Sequence, residues 1–314
     1  MSIFTHLFTA EPARYADAPR VEWPTVALAG LIYGGWAVLT YHWHDWPLAL
    51  VLPLLAILVA WHGSLQHEVL HGHPTRWRGI NDLFGMLPIS LWIPYTRYKR
   101  LHLKHHNNDR LTDPVDDPES YYLTEAHWAS MSAPMRVLWR FDQTLFGRVT
   151  IGPPLHIGMY WLGEWRAVRR NETGARAAWF EHLVWCAVVL VWLSAVCHLP
   201  IALYALAVVW PSKSLGSVRS FAEHRARPSV HERIAIVEGS WFFGPLFLFN
   251  NLHVLHHDEP LMPWYAYLRR YRLRRDELIH LNHGLVYKTY FDVARRYLFK
   301  PHDVTVHPMG RVPH

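Results

Sequence analysis

The chain has 314 residues, of which 51% are hydrophobic, 14% aromatic and only 18% charged. That balance excludes a disordered or collagen-like chain, and two cysteines cannot build a disulfide scaffold. A formal net charge of +6 is compatible with nucleic acid, anionic lipid or a membrane protein's basic face, while 24 histidines against 25 acids make imidazole a main chemical resource.

Taken in chain order, the first 20 residues carry Glu11, Arg14, Asp17 and Arg20, which argues against a cleaved signal peptide. The segment 1–23 is expected to remain as a cytosolic N-terminal stretch. Residues 24–41 and 47–66 are free of charged side chains, and each is long enough to cross a bilayer. A second pair follows at 179–198 and 199–221, parted by a turn at Pro200. With helical continuation the expected spans are about 24–44, 47–71, 179–198 and 200–224. The fourth loses its apolar character near Trp210 and Pro211, so its second half is expected to face protein or a cavity. Shorter apolar stretches at 83–95, 151–162 and 240–249 cannot cross and read as interfacial helices. Cys186 and Cys197 lie about 16 Å apart on one helix, beyond disulfide reach.

Lys and Arg test this topology. Fourteen fall in 72–178, thirteen in 221–314, two before residue 21, two late in the fourth span, and none in the connections 42–46 or 199–200. By the positive-inside rule both termini and the middle segment are cytosolic, and no nucleic-acid partner is needed to explain the charge. The expected fold is an all-α membrane protein: four transmembrane helices in two hairpins, with a cytosolic helical cap. Trp23, Trp43, Trp46, Trp179 and Trp210 suit interfacial belts.

Three histidine clusters stand out: His67 with His71, then His102, His105 and His106, then His253, His256 and His257. Residues i, i+3 and i+4 share one face of a helix, so each cluster can aim its imidazoles at one point. His71 lies 24 residues into the second span and His224 lies 23 residues past Ile201, about 36 and 35 Å along their helices. Both therefore emerge just past a hydrocarbon core about 30 Å thick, on the cytosolic face. Nine histidines at one level exceed the roughly four ligands of one tetrahedral ion and suit two ions, whose identity imidazole alone leaves open. Glu68, Asp109, Asp113, Asp116, Asp117, Glu223 and Asp258 are near enough in sequence to accept ring N–H groups. The other histidines, His6, His42, His44, His62, His127, His156, His182, His231, His280 and His283 among them, read as anchoring or core residues; His73 is a substitute ligand at most.

The boxes HEVLH, HLKHH and HVLHH, the further histidine in SFAEH, and the run TDPVDDPES resemble the membrane fatty acid desaturase superfamily, which includes hydroxylases and carotenoid ketolases. The resemblance covers about residues 24–265 and leaves 266–314 as a basic cytosolic C-terminal segment. It implies a di-iron centre on His67, His71, His102, His105, His106, His224, His253, His256 and His257, with O2 as co-substrate and two external electrons. Glu68, Asp113, Asp117, Glu223 and Asp258 are the carboxylates expected to support those ligands. The expected reaction is desaturation of a fatty acyl chain in lipid metabolism, with hydroxylation or ketolation as the alternative.

Two departures bear on substrate. Three residues separate His67 from His71 where acyl-CoA members usually have four, and Ser220 stands where some of them carry an asparagine. The 314 residues hold no cytochrome b5-like segment, so the expected electron donor is a separate protein such as a ferredoxin. Arg97, Lys99, Arg100 and Lys104, and the arginines at 269, 270, 272, 274 and 275, suit lipid headgroups or that donor. A rival class arises from the pattern His67-Glu68-x-x-His71, the HExxH signature of zinc proteases, which would leave the other two boxes without purpose.

Overall fold

A computed structural model of the protein describes residues 19–308. The described chain is mainly helical, and among its residues four helices are long and apolar enough to cross a membrane: α1, Trp23–Tyr41; α2, Leu48–Leu70; α5, Ala175–Val196; and α6, Ile201–Glu223. Between the pairs come α3, Tyr95–His106, and α4, Gly152–Arg169. After α6 come the short α7, His253–Asp258, and α8, Tyr267–Leu281. The only sheet among the described residues is a parallel pair, β1 (Ile236–Gly239) on β2 (Val286–Thr289), with Ile236 opposite Val286.

The chain forms two compact units, each assembled from separate stretches. One contains the residues up to Lys99 with Pro154–Leu215 and Leu261–Pro263; the other contains Arg100–Pro153, Gly216–Pro260 and Trp264 onward.

In the first unit α1 packs along α2, and α2 meets the Ala205–Val209 stretch of α6. Hydrogen bonds pair several of the polar atoms inside this apolar packing. Trp36 Nε1 donates to the Tyr204 hydroxyl at 2.9 Å, and that hydroxyl donates to the Ile89 carbonyl at 2.6 Å. Trp43 Nε1 donates to the Cys197 carbonyl at 2.9 Å, tying one hairpin tip to the other. Both α5 and α6 open into a π-helical turn beside that tip, at Trp192–Val196 and Ala205–Val209. Cys186 and Cys197 are free thiols. Arg97, at the start of α3, grips the Glu164 carboxylate of α4 with Nε at 2.7 Å and Nη2 at 2.6 Å, both side chains buried.

Element ends depart from expectation where backbone chemistry intervenes. The third span begins at Ala175 rather than 179, because Gly174 takes the left-handed conformation (φ 79°) and caps the helix there. The stretch expected to be helical over 83–95 is a helix only at Arg78–Met86; Pro88 and Pro94 then hold the chain in an extended, turn-rich path. Over 240–249 only Phe243–Leu246 is helical, whereas the stretch expected at 151–162 runs on as far as Arg169. Residues 1–18 and 309–314, with His6 and His314, lie outside the described residues.

Candidate metal centre

In the second unit, three chain segments carry histidines to one place. The first is the last turn of α3. His105 Nδ1 donates to Asp117 Oδ1 at 2.8 Å, and His102 Nδ1 to Glu119 Oε1 at 2.7 Å. Local hydrogen bonds fold the acidic run so that these carboxylates meet the rings. Asp117 Oδ2 accepts from the Thr112 N–H at 2.7 Å, Asp117 Oδ1 accepts from Glu119 N at 2.9 Å, and Ser120 Oγ donates to the Thr112 carbonyl at 2.6 Å. Thr112 is thereby held at φ 74°, a conformation that L-residues with a Cβ avoid.

The second segment is the end of α6. His224 pairs with Ile234 in an antiparallel bridge, and the Ala235 N–H donates to the Glu223 carbonyl at 2.8 Å. Arg233, buried, donates through Nη1 to the carbonyl of Leu111, so this returning strand is fastened to the loop that holds Asp117.

The third segment is α7. Leu248 and Phe249 precede it at φ 49° and 59°, two successive left-handed residues that swing the chain around Gly244, whose absent side chain leaves room for the Phe249 ring. The Asn251 carbonyl accepts from the β1 residue Val237 at 2.9 Å, and Asn251 Nδ2 donates to the Val237 carbonyl at 2.7 Å. Within α7, His253 Nδ1 lies 3.0 Å from Asn250 Oδ1 and 3.4 Å from Glu223 Oε1, and His256 Nδ1 lies 3.0 Å from the Tyr267 hydroxyl.

Two sets of donors result. His105, His224, His253 and His257 each offer a ring nitrogen within 4.8 Å of the others; so do His102, His106 and His256. Inside the first set, Nε2 of His253 is 3.0 Å from that of His224 and 3.2 Å from that of His257. Inside the second, Nε2 of His106 is 3.0 Å from that of His102 and 2.9 Å from that of His256.

These residues fit a bound cation. Asp117, Glu119 and Asn250 accept the Nδ1 protons of His105, His102 and His253, which leaves each Nε2 as a bare lone pair facing the other rings. His105 Nε2 is buried without a hydrogen-bond partner. Two imidazole nitrogens about 2.1 Å from a common ion and at right angles to each other lie about 3.0 Å apart, the spacing found in both sets.

Electrostatics points the same way. Burial, helped by the charge of neighbouring rings, pushes His106 down to about 2 and drives His224, His253 and His257 well below the ordinary range. Neutral imidazole is the metal-binding form. His105 is the exception: burial pulls it down, but Glu119, Asp117 and Glu223 outweigh that and raise it to about 9. Burial would raise Glu119, yet His102 and His105 hold its carboxyl far below the usual range.

The first unit holds His67 and His71, both buried, with ring centroids 5.1 Å apart, as one helical turn requires. It also holds a buried group made of Glu22, Glu68 and His73. His73 Nδ1 is 2.8 Å from both Glu22 oxygens, and His73 Nε2 is 3.8 Å from Glu68 Oε1. His73 therefore has carboxylate partners of its own. His62 bonds to the Tyr33 hydroxyl at 3.0 Å, and His182 to the Leu91 carbonyl at 3.2 Å, as core histidines do.

Of the carboxylates expected beside the ligands, Asp117 and Glu223 face His105 and His253. Asp113 and Asp258 do not serve that purpose: Asp113 accepts from the N–H groups of Val115 and Asp116, and Asp258 is paired with Arg274. Both are close in sequence but turned elsewhere by local backbone and charge. Sequence reasoning missed Glu119, Asn250 and Tyr267 as individual ring partners; only the acidic run gave a signal, and it pointed to Asp113 and Asp117.

A family model described as fatty acid desaturase matches residues 41–291. A search of curated proteins finds no match.

Proposed function

The chain belongs to the fatty acid desaturase family, and from that premise we propose that it is a membrane oxidoreductase that uses O2 and two irons to desaturate a fatty acyl chain. The ligand set we propose is His67, His71, His102, His105, His106, His224, His253, His256 and His257. The chemistry supplied by the two bound irons is activation of O2 to an oxidant strong enough to break an unactivated C–H bond, a step beyond any side chain. Two electrons would come from a separate donor of the ferredoxin class and two protons from solvent; with the two hydrogens lost by the substrate they reduce O2 to two waters.

The protein's own part is placement. Asp117 and Glu119 fix the orientation and tautomer of His105 and His102, and Asn250 and Tyr267 orient His253 and His256, so these rings need little rearrangement when metal enters. Leu252 and Leu255, which precede His253 and His256 in the chain, are almost wholly buried. The distribution of Lys and Arg supports a centre and termini on the cytosolic face. The acyl carrier we favour is a membrane lipid rather than coenzyme A, because the short spacing in the first box and Ser220 depart from the acyl-CoA pattern.

The observation that carries this reading is the convergence of seven imidazoles in the second unit, four of them (His102, His105, His253 and His256) anchored through Nδ1. It is tested by expressing the chain with a compatible reductase, measuring iron per chain and analysing lipids by mass spectrometry. Two irons and a product lighter by two hydrogens are expected; a product heavier by one oxygen would assign hydroxylation instead. His105→Ala and His256→Ala should each lose iron and activity while inserting normally, and retained turnover would overturn the ligand assignment. A single zinc with peptide cleavage would restore the protease alternative.

A further inference from the structure

Beyond the metal centre, the second unit carries two groups of aromatic rings, one ending at Trp241 and one at Phe299, with the helix that bears Phe291 between them in the chain. At one end Trp241 is 90% exposed, and its ring centroid is 5.9 Å from that of Phe242. Phe242 touches Phe243 at 5.1 Å, and Phe243 touches Tyr290 at 5.0 Å. Tyr290 opens the helix Tyr290–Tyr297, which buries Tyr290 and Val293 and turns Phe291, Arg295 and, just past its end, Leu298 to the outside. Phe291 is 78% exposed and Phe299 71%; Phe299 packs on Phe146 at 5.3 Å, and Phe146 on Phe141 at 6.0 Å. The backbone is fastened beneath, since the Phe146 N–H donates to the Leu298 carbonyl at 2.9 Å.

A soluble surface rarely leaves several large rings this open. The charges beside them are mainly positive. Arg295 and Lys300 are exposed on this face. The acids nearest in sequence are engaged: Asp292 is held by Arg296 at 2.8 Å and faces Arg295 at 3.6 Å, and Asp303 is held by the Tyr122 hydroxyl at 2.7 Å and by Arg225. Exposed aromatics beside three cations, Arg295, Arg296 and Lys300, that share the single acid Asp292 match the boundary between headgroups and acyl chains of an anionic leaflet, and would be unfavourable against bulk water.

We infer that the exposed rings Trp241, Phe291 and Phe299 form a second membrane attachment, inserted into the headgroup layer of an anionic leaflet. It is additional to the four spans and does not depend on the catalytic reading.

The test uses the full chain in nanodiscs of phosphatidylcholine with and without phosphatidylglycerol. Nitroxide labels are placed by Phe291→Cys and Phe299→Cys, with Asp276→Cys, whose native side chain is 96% exposed, as the water-facing control. Labels at 291 and 299 should be relaxed more by O2 than by a water-soluble nickel chelate, with the reverse at 276. Adding Arg295→Glu and Lys300→Glu should shift the first two toward the aqueous response in anionic discs. Water-like behaviour at both positions, or broadening from a second label that reports self-association, would overturn the inference. If the labelled variants do not fold, hydrogen exchange on the unmodified protein decides. Slower exchange at 241–243 and 298–300 in anionic than in neutral discs is expected, and equal rates would refute it.

Discussion

A histidine binds metal well only when its other nitrogen is spoken for, and the two carboxylates on His102 and His105 are where this centre is most open to a targeted change. Glu119→Gln keeps the shape but weakens the acceptor on His102, and a metal affinity lower by about 10–100-fold is expected in chelator competition. Asp117→Asn should cost at least as much, because that carboxylate also accepts from the Thr112 and Glu119 N–H groups. Unchanged affinity in both would show that these contacts are incidental. The histidines themselves are legible in the sequence because i, i+3 and i+4 spacing depends only on the helix repeat. Their partners are legible only in part. Asp117 lies 12 residues from His105 across a turn, Tyr267 lies 11 from His256, and such reversals are set by capping and φ angles that spacing does not encode.

At the scale of elements, apolar length locates the four spans to within a few residues, since it answers directly to bilayer thickness. Errors gather where single residues redirect the backbone, at Gly174 and at Pro88 and Pro94. The pairing of α3 with α4 is not legible either. Arg97 reads in the sequence as a surface cation for lipid or donor, whereas it is buried in a two-pronged pair with Glu164, which also accepts from Trp179 Nε1 at 3.0 Å. Removing one partner of a buried pair leaves the other charge stranded, so Arg97→Met or Glu164→Gln alone should destabilise by about 3–5 kcal/mol. The double replacement Arg97→Met with Glu164→Met should cost clearly less. Thermal unfolding in detergent measures both, and a double variant as unstable as the sum of the singles would count against a direct pair.

For the whole molecule, the sidedness assigned from charge is the statement to test. His44, in the loop after α1, is exposed, as is Asp276 on α8. A membrane-impermeant thiol reagent applied to intact cells should modify His44→Cys and spare Asp276→Cys; the opposite pattern would invert the topology. Hydropathy and charge make this architecture readable because they respond to the bilayer alone. The division into two units, each drawn from interleaved stretches, leaves no such mark, since it depends on which distant segments pack together.

The spread of the His105, His224, His253 and His257 group along the chain has a consequence for biogenesis. A ribosome that has released only the first hairpin and the acidic run has made one of those four donors. Coordination by the full quartet must wait until residue 257 has left the exit tunnel and α7 has wound. An ion bound as proposed by all four would therefore be taken up only late in synthesis, and a truncated product ending before α7 would keep only His105 and His224 of these donors.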